Sequence, residues 1–131
     1  MSSTMAMAAS NYDVAVVNQA TSKMDVTYTY CVGNSTQGFT CGSPQIASID
    51  NQSTLVLHPS TAVFPNTSDP TVFVSVLGAA TNGHSSSYGG SSTSISRCSA
   101  TAGSAAYNNA LLLTDINVGV ACQGGIYQPQ L

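Results

Sequence analysis

The stretch DVTYTYCV, residues 25–32, carries the clearest structural signal in the sequence. Large apolar or aromatic side chains occupy every second position, and mostly smaller ones lie between them. One face would carry Val26, Tyr28, Tyr30 and Val32, and the other would carry Thr27, Thr29 and Cys31. Because successive side chains of a strand point to opposite faces of a sheet, this alternation predicts a β-strand.

Similar strand-like runs lie on both sides of this stretch. They are YDVAVVN (12–18), PQIASID (44–50), STLVLH (53–58), TAVF (61–64), TVFVSVL (71–77) and ALLLTDINVGVAC (110–122), with GIYQ (125–128) as a short edge strand. Turn residues separate the runs roughly every 8 to 15 residues, which is typical of all-β domains. Helix-forming residues are scarce, since the chain has no Glu, one Lys and one Arg. The single helix candidate is a short one within residues 99–113.

The pattern predicts a single-domain all-β sandwich of about seven to nine strands, with Greek-key or jelly-roll connectivity. The domain would span residues 12–131. Residues 1–11 would form a flexible N-terminal segment, either the remnant of a signal peptide or an assembly arm. Ala6-Met7-Ala8 has the A-x-A form of a signal-peptidase site, although no basic or apolar region precedes it.

The composition excludes several classes of function. The 131 residues include two basic and five acidic side chains, giving a net charge of −3 and a charged fraction of 5%. Two cations cannot neutralise a run of phosphates, so nucleic acid and anionic membrane surfaces are not expected partners. No apolar run reaches the ~18–20 residues that a membrane span requires. A hydrophobic fraction of 43% with so little net charge also argues against disorder.

The four cysteines favour disulfides in an oxidising compartment. Cys31 with Cys41, and Cys98 with Cys122, is the preferred pairing because each pair is local and encloses a stretch rich in small polar residues. The other two pairings and buried free thiols remain alternatives. A zinc site is less favoured, because no CxxC motif occurs. We therefore expect a secreted protein, located extracellularly or at the cell surface.

Candidate site residues are few. Residues 80–94, ATNGHSSSYGGSSTS, are expected to form a long mobile surface loop that presents His84 and Tyr88 for contact with a ligand. His58 reads as an ordinary strand-end histidine, and Asp115 as a solvent-facing residue within a strand. The sequence GHSSS resembles a serine-nucleophile motif only by chance in a chain with this many serines. We expect no catalytic residues, no cofactor and no metal.

The expected function is that of a non-enzymatic structural or surface subunit that associates with itself as a homo-oligomer, filament, matrix or coat. Low charge removes repulsion between copies, and uncharged runs such as TVFVSVL and ALLLT would be adhesive at a sheet edge. The alternative is a secreted carbohydrate-binding (lectin-like) or adhesion module, with a glycan as partner. Three N-x-[ST] sequons, at Asn34, Asn51 and Asn66, carry little information in a chain so rich in Ser and Thr.

Overall fold

The computed structural model describes residues 13–34, 36, 38–59, 71–103 and 108–126. These residues form ten β-strands and no α-helix. The strands are β1 Val14–Asn18, β2 Met24–Asn34, β3 Gly38–Cys41, β4 Gln45–Ile49, β5 Thr54–Leu57, β6 Thr71–Thr81, β7 His84–Ser87, β8 Cys98–Thr101, β9 Ala110–Asp115 and β10 Val120–Gly125. The prediction of an all-β sandwich is confirmed, with slightly more strands than expected.

The strands form two sheets that pack face to face. The four-stranded sheet has the order β10-β9-β1-β5, and the six-stranded sheet has the order β3-β2-β6-β7, with β4 also paired to β2 and β8 also paired to β6. Strand β1 pairs parallel with β9, whereas the other named strand pairs are antiparallel. The chain crosses between the sheets after β1, β4, β5 and β8.

The core lies between the sheets and follows the alternation seen in the sequence. Val26 and Tyr28 of β2 face inward with Val74 and Val76 of β6, while Asp25 of β2 is exposed. The opposite sheet contributes a second set of buried side chains, namely Val14, Val16, Leu57, Leu111, Leu113 and Val120. Burying this apolar surface is the main favourable term in folding, at about 25 cal/mol per Å².

One side of the sandwich is bridged by links between the two sheets. Cys98 of β8 forms a disulfide with Cys122 of β10. Close by, the hydroxyl of Tyr88 donates a hydrogen bond of 2.7 Å to the carbonyl of Val120, and the amide of Val120 donates one of 2.8 Å to Ser86 Oγ. We call this the bridged side. Because β10 lies against β7 and β8 there, covalent and polar contacts hold the two sheet edges together.

The opposite side carries the outer edges of β3, β4 and β5, and we call it the open side. Among the described residues, no strand pairs with the outer edge of any of these three. The second disulfide, Cys31–Cys41, lies here but joins neighbouring strands of one sheet. Both predicted disulfides are therefore confirmed, with no free cysteine, and two intramolecular disulfides are consistent with an extracellular location.

A buried amide organises the corner where β1 ends. The side chain of Asn18 is fully buried, and its Nδ2 donates to the carbonyls of Ser22, Ile49 and Asp50 at 2.9–3.1 Å. Its Oδ1 accepts a 2.8 Å bond from the amide of Ala20. Asn18 thus ties the four-stranded sheet to the turn between β4 and β5.

Several local predictions were wrong. Residues 80–94 do not form one mobile surface loop, because β6 runs to Thr81, β7 follows, and Tyr88 is packed into the core. The run 110–122 is two strands, since a turn over residues 116–119 separates β9 from β10. Of the edge strand expected at 125–128, only Gly125 lies in a strand, as the last residue of β10; Ile126 lies in no strand, and residues 127–128 lie outside the described residues.

Two further expectations concern the edges and the helix. TVFVSVL and ALLLT lie in β6 and β9, which are interior strands rather than sheet edges. Within the proposed helix region, residues 99–101 belong to β8 and residues 110–113 to β9, while residues 104–107 lie outside the described residues. The N-terminal segment 1–11, the strand expected at 61–64 and the sequon at Asn66 also lie outside them.

Candidate functional site

A cleft of about 360 Å³ opens at the end of the sandwich where β2 begins and the β6–β7 hairpin turns. It is lined by Lys23, Asp25, Ala80, Thr81, Asn82, Gly83, His84 and Ser85. Its size is at the lower end of the range for small-molecule sites in proteins. We take this cleft, which contains one of the two predicted ligand-contact residues, as the candidate functional site.

The hairpin that forms one wall is a tight two-residue turn. Asn82 and Gly83 have φ values of 55° and 80°, the left-handed conformation that Asn and Gly tolerate best in hairpin turns. The hydroxyl of Thr81, just before the turn, donates a 2.7 Å bond to the carbonyl of Lys23. The turn is therefore fixed to the start of β2, on the other wall of the cleft.

His84 is held from behind by an aspartate of the other sheet. Its Nδ1 lies 2.9 Å from Asp115 Oδ1, and the same carboxylate oxygen accepts a 3.0 Å bond from the amide of Asn117. The Asn117 amide, followed by His84, lowers the pKa of Asp115 below its ordinary value of 3.8. In a neutral imidazole, a carboxylate at Nδ1 favours the tautomer that carries its proton there, which leaves Nε2 as a hydrogen-bond acceptor.

The remaining charged residues of the cleft come from β2 and the residue before it. Asp25 is exposed on the outer face of β2, and its Oδ1 accepts a hydrogen bond from the hydroxyl of Ser48 on β4. Lys23 is exposed and belongs to no ion pair among the described residues. The described residues include six charged side chains, and Lys23, Asp25 and Asp115 gather at this one place.

The two predicted ligand contacts have different outcomes. His84 lines the cleft, and its contact with a ligand stays a prediction. Tyr88 is only 9% exposed and its hydroxyl is bonded to Val120, so the expectation of an exposed contact is wrong. Burial raises the pKa of Tyr88 to about 12. Tyr88 follows β7 directly, and its ring packs into the core at the bridged side, so it is not exposed to a ligand.

Sequence reasoning missed other members of the site. Asp115 is bonded to His84 instead of facing solvent freely. Outside the cleft, His58 is likewise bonded to Asp13, with 2.7 Å between Nδ1 and Oδ1. Lys23 was not singled out, because nothing local shows that it faces residues 80–85. The Asn82-Gly83 dipeptide, a strong hairpin signal, was the feature that could have revealed the wall of the cleft.

The side chains in and near the cleft limit the chemistry that this site can perform. Among the described residues, no group of three or more His, Cys, Asp or Glu side chains is placed to hold a metal ion. Ser86 of the GHSSS segment accepts its hydrogen bond from Val120 and is not bonded to His84. The cleft therefore offers hydrogen-bonding groups of both kinds: the Lys23 ammonium donates, whereas the Asp25 carboxylate and His84 Nε2 accept.

Comparison with known proteins identifies no relative. No protein-family model matches the chain, and no curated protein or solved structure matches it significantly. Within the described parts of the chain, no helix has both the length and the apolar character needed to cross a bilayer. Inferences about function therefore depend on the residues and their geometry.

Proposed function

We propose that this protein is a secreted, non-enzymatic structural or surface subunit that associates with itself through the open side of its sandwich. One observation carries the proposal. The edge strands of that side, β3 (GFTC), β4 (QIASI) and β5 (TLVL), contain no charged residue and no proline. Natural monomers commonly protect sheet edges with lysine, proline or inward-pointing charge, so edges without such residues favour pairing with another strand.

Strands β3 and β4 act together as one long edge. Both pair with β2, β4 along residues 24–28 and β3 along residues 31–34, so that they cover most of its length. Ile46, in the middle of β4, is 73% exposed on the outer face of the sheet. An exposed isoleucine on an uncharged edge strand supplies apolar area to an interface formed by strand addition.

The low charge of the chain determines how such an assembly would behave. Copies with few charges repel each other weakly, and hydrogen bonds and apolar contacts would hold them together. Assembly would therefore change little between low salt and ~1 M salt, because there is little charge to screen. The two disulfides support a durable part outside the cell. The expected role of residues 1–11 as an assembly arm stays part of this proposal.

The test compares Ile46→Lys with Ser87→Lys. Ser87 is an exposed residue of β7, on the bridged side, so its variant adds the same charge to a different edge strand. Sedimentation velocity over a concentration series should show self-association of the native protein. Ile46→Lys should weaken it by about tenfold or more, which is about 1.4 kcal/mol, and Ser87→Lys should leave it unchanged.

Two results would overturn the proposal. The first is a native protein that stays monomeric at the highest concentration reached, and the second is equal weakening by both variants. Glycan binding, the alternative expected from the sequence, is a separate property, and the feature that favours it is the cleft beside His84.

A further inference from the structure

We propose that the cleft at the β6–β7 hairpin is a binding site for an uncharged sugar residue. This property goes beyond self-association and does not depend on it. The starting point is the unequal distribution of charge. In a chain with seven charged side chains, Lys23 and Asp25 line one cleft and Asp115 holds its histidine.

Two polar side chains of the cleft, and the backbone of a third residue, are held in position before any ligand arrives. Asp25 is bonded by Ser48 from β4, and His84 by Asp115 from the opposite sheet. The backbone of Lys23 is bonded by Thr81 at the end of β6. Three separate contacts thus fix the walls, and groups fixed in advance lose little conformational entropy when a ligand binds.

The mixture of donors and acceptors favours a neutral ligand rich in hydroxyl groups. An anion would approach the carboxylate of Asp25, and a cation would approach the ammonium of Lys23, so each meets a like charge. A sugar hydroxyl both donates and accepts, and neighbouring hydroxyls of one ring can donate to Asp25 Oδ and to His84 Nε2 while accepting from Lys23. Charged groups strengthen such hydrogen bonds.

The size of the cleft restricts the ligand further. A volume of about 360 Å³ suits a single sugar residue better than a longer chain. Among the described residues that line the cleft, none is Phe, Tyr or Trp. Binding to one sugar residue is therefore expected to be weak, with a dissociation constant on the order of millimolar.

Saturation-transfer difference NMR with the native protein provides the test, using methyl glycosides of glucose, galactose, mannose and N-acetylglucosamine as probes. The method detects a ligand on a monomer or on an assembly, so it gives a result even if the self-association proposal fails. At least one glycoside should give a signal that saturates with concentration. Glucosamine and sialic acid, which carry a positive and a negative charge, should bind more weakly than the best neutral glycoside.

Variants then locate the site. Asp25→Asn and His84→Phe should each weaken binding of that glycoside by about tenfold. Asp50→Asn, which removes the charge of an exposed turn outside the cleft, should not affect it. Amide spectra of each variant show whether it is folded, and Lys23→Gln provides a second measurement if His84→Phe is not.

Four outcomes would overturn the proposal. Three of them are that none of the four glycosides gives a saturable signal, that the charged sugars bind as well as the neutral ones, and that binding survives in Asp25→Asn and in Lys23→Gln. A signal equal to that of glycerol would identify weak adsorption of any polyol and would also reject a sugar site.

Discussion

The two sides of the sandwich are closed in different ways. On the bridged side, a disulfide and the hydrogen bonds of Tyr88 and Ser86 connect the two sheets at β10, and His84 of β7 is bonded to Asp115 of β9. On the open side, the disulfide lies within one sheet, and the connection between the sheets includes the buried amide of Asn18. The difference shows that edge strands of similar, uncharged composition have different surroundings: β7, β8 and β10 are linked to each other across the two sheets, whereas the outer edges of β3, β4 and β5 are paired with no described strand.

Removal of the inter-sheet disulfide should have the largest effect on stability. The double variant Cys98→Ala/Cys122→Ala should lose about 3 to 4 kcal/mol of unfolding free energy, because its loop of 24 residues restricts the unfolded chain. The matched variant Cys31→Ala/Cys41→Ala opens a loop of 10 residues and should lose about 0.5 to 1 kcal/mol less. Denaturant unfolding of both proteins measures this difference.

If the Cys31–Cys41 variant were the less stable of the two, the bridged side would not be the stronger joint. Hydrogen exchange adds a local measurement. In the Cys98–Cys122 variant, the amide of Val120 should exchange faster than the amides of β2, because it donates to Ser86 across the joint that has lost its covalent link.

The fold was largely predictable because its signals are local. Alternation over residues 25–32 predicted β2, and the short spacing of Cys31 and Cys41 predicted their pairing, which β2 and β3 enforce as neighbours. The run at 110–122 was interpreted as one strand, with Asp115 as a solvent-facing residue within it. The break between β9 and β10 arises because Asp115 accepts a hydrogen bond from the amide of Asn117, whose φ of 69° turns the chain.

The candidate site was less predictable because it is assembled from distant parts of the chain. Nothing near His84 indicates that Asp115 lies behind it or that Lys23 lies opposite. Tyr88 is a second example of a distant contact that the sequence does not reveal. The serines and glycines around it suggested a mobile loop, yet the ring is buried and its hydroxyl donates a hydrogen bond to the carbonyl of Val120, far along the chain. Composition describes a segment but does not reveal its tertiary partners.

An intermediate effect is expected at the corner of the open side. Asn18→Ala should lower the unfolding free energy by about 2 to 3 kcal/mol, because a buried amide that makes four hydrogen bonds is removed. Gln52→Ala is the matched control. Its amide is exposed and donates to the carbonyls of Gln19 and Ala20 at the same corner, so its loss should cost less than about 1 kcal/mol. Equal losses would show that burial of Asn18 contributes nothing.

The smallest effect is expected from acid at the bridged side. The pKa of Asp115 is lowered in the folded protein by the Asn117 amide and by His84. Its ionised carboxylate therefore stabilises the fold at pH values above 3.8, which is the ordinary pKa of the group. This contribution is lost as the pH falls below 3.8 and through the lowered pKa. Thermal unfolding of Asp115→Asn should therefore be less dependent on pH in that range than unfolding of the native protein or of Asp50→Asn. An unchanged profile would contradict this assignment.

The parallel pairing of β1 with β9 has a consequence for the order in which the protein folds. β1 is an interior strand of its sheet, yet its parallel neighbour β9, which places Leu111 beside Val16, is synthesised only after β2 to β8. During synthesis, β1 can pair with β5 but leaves its other edge exposed until β9 emerges. Contacts between such distant residues slow folding and prolong the exposure of an apolar strand. We therefore expect the newly made chain to depend on protection from aggregation until β9 and β10 are complete.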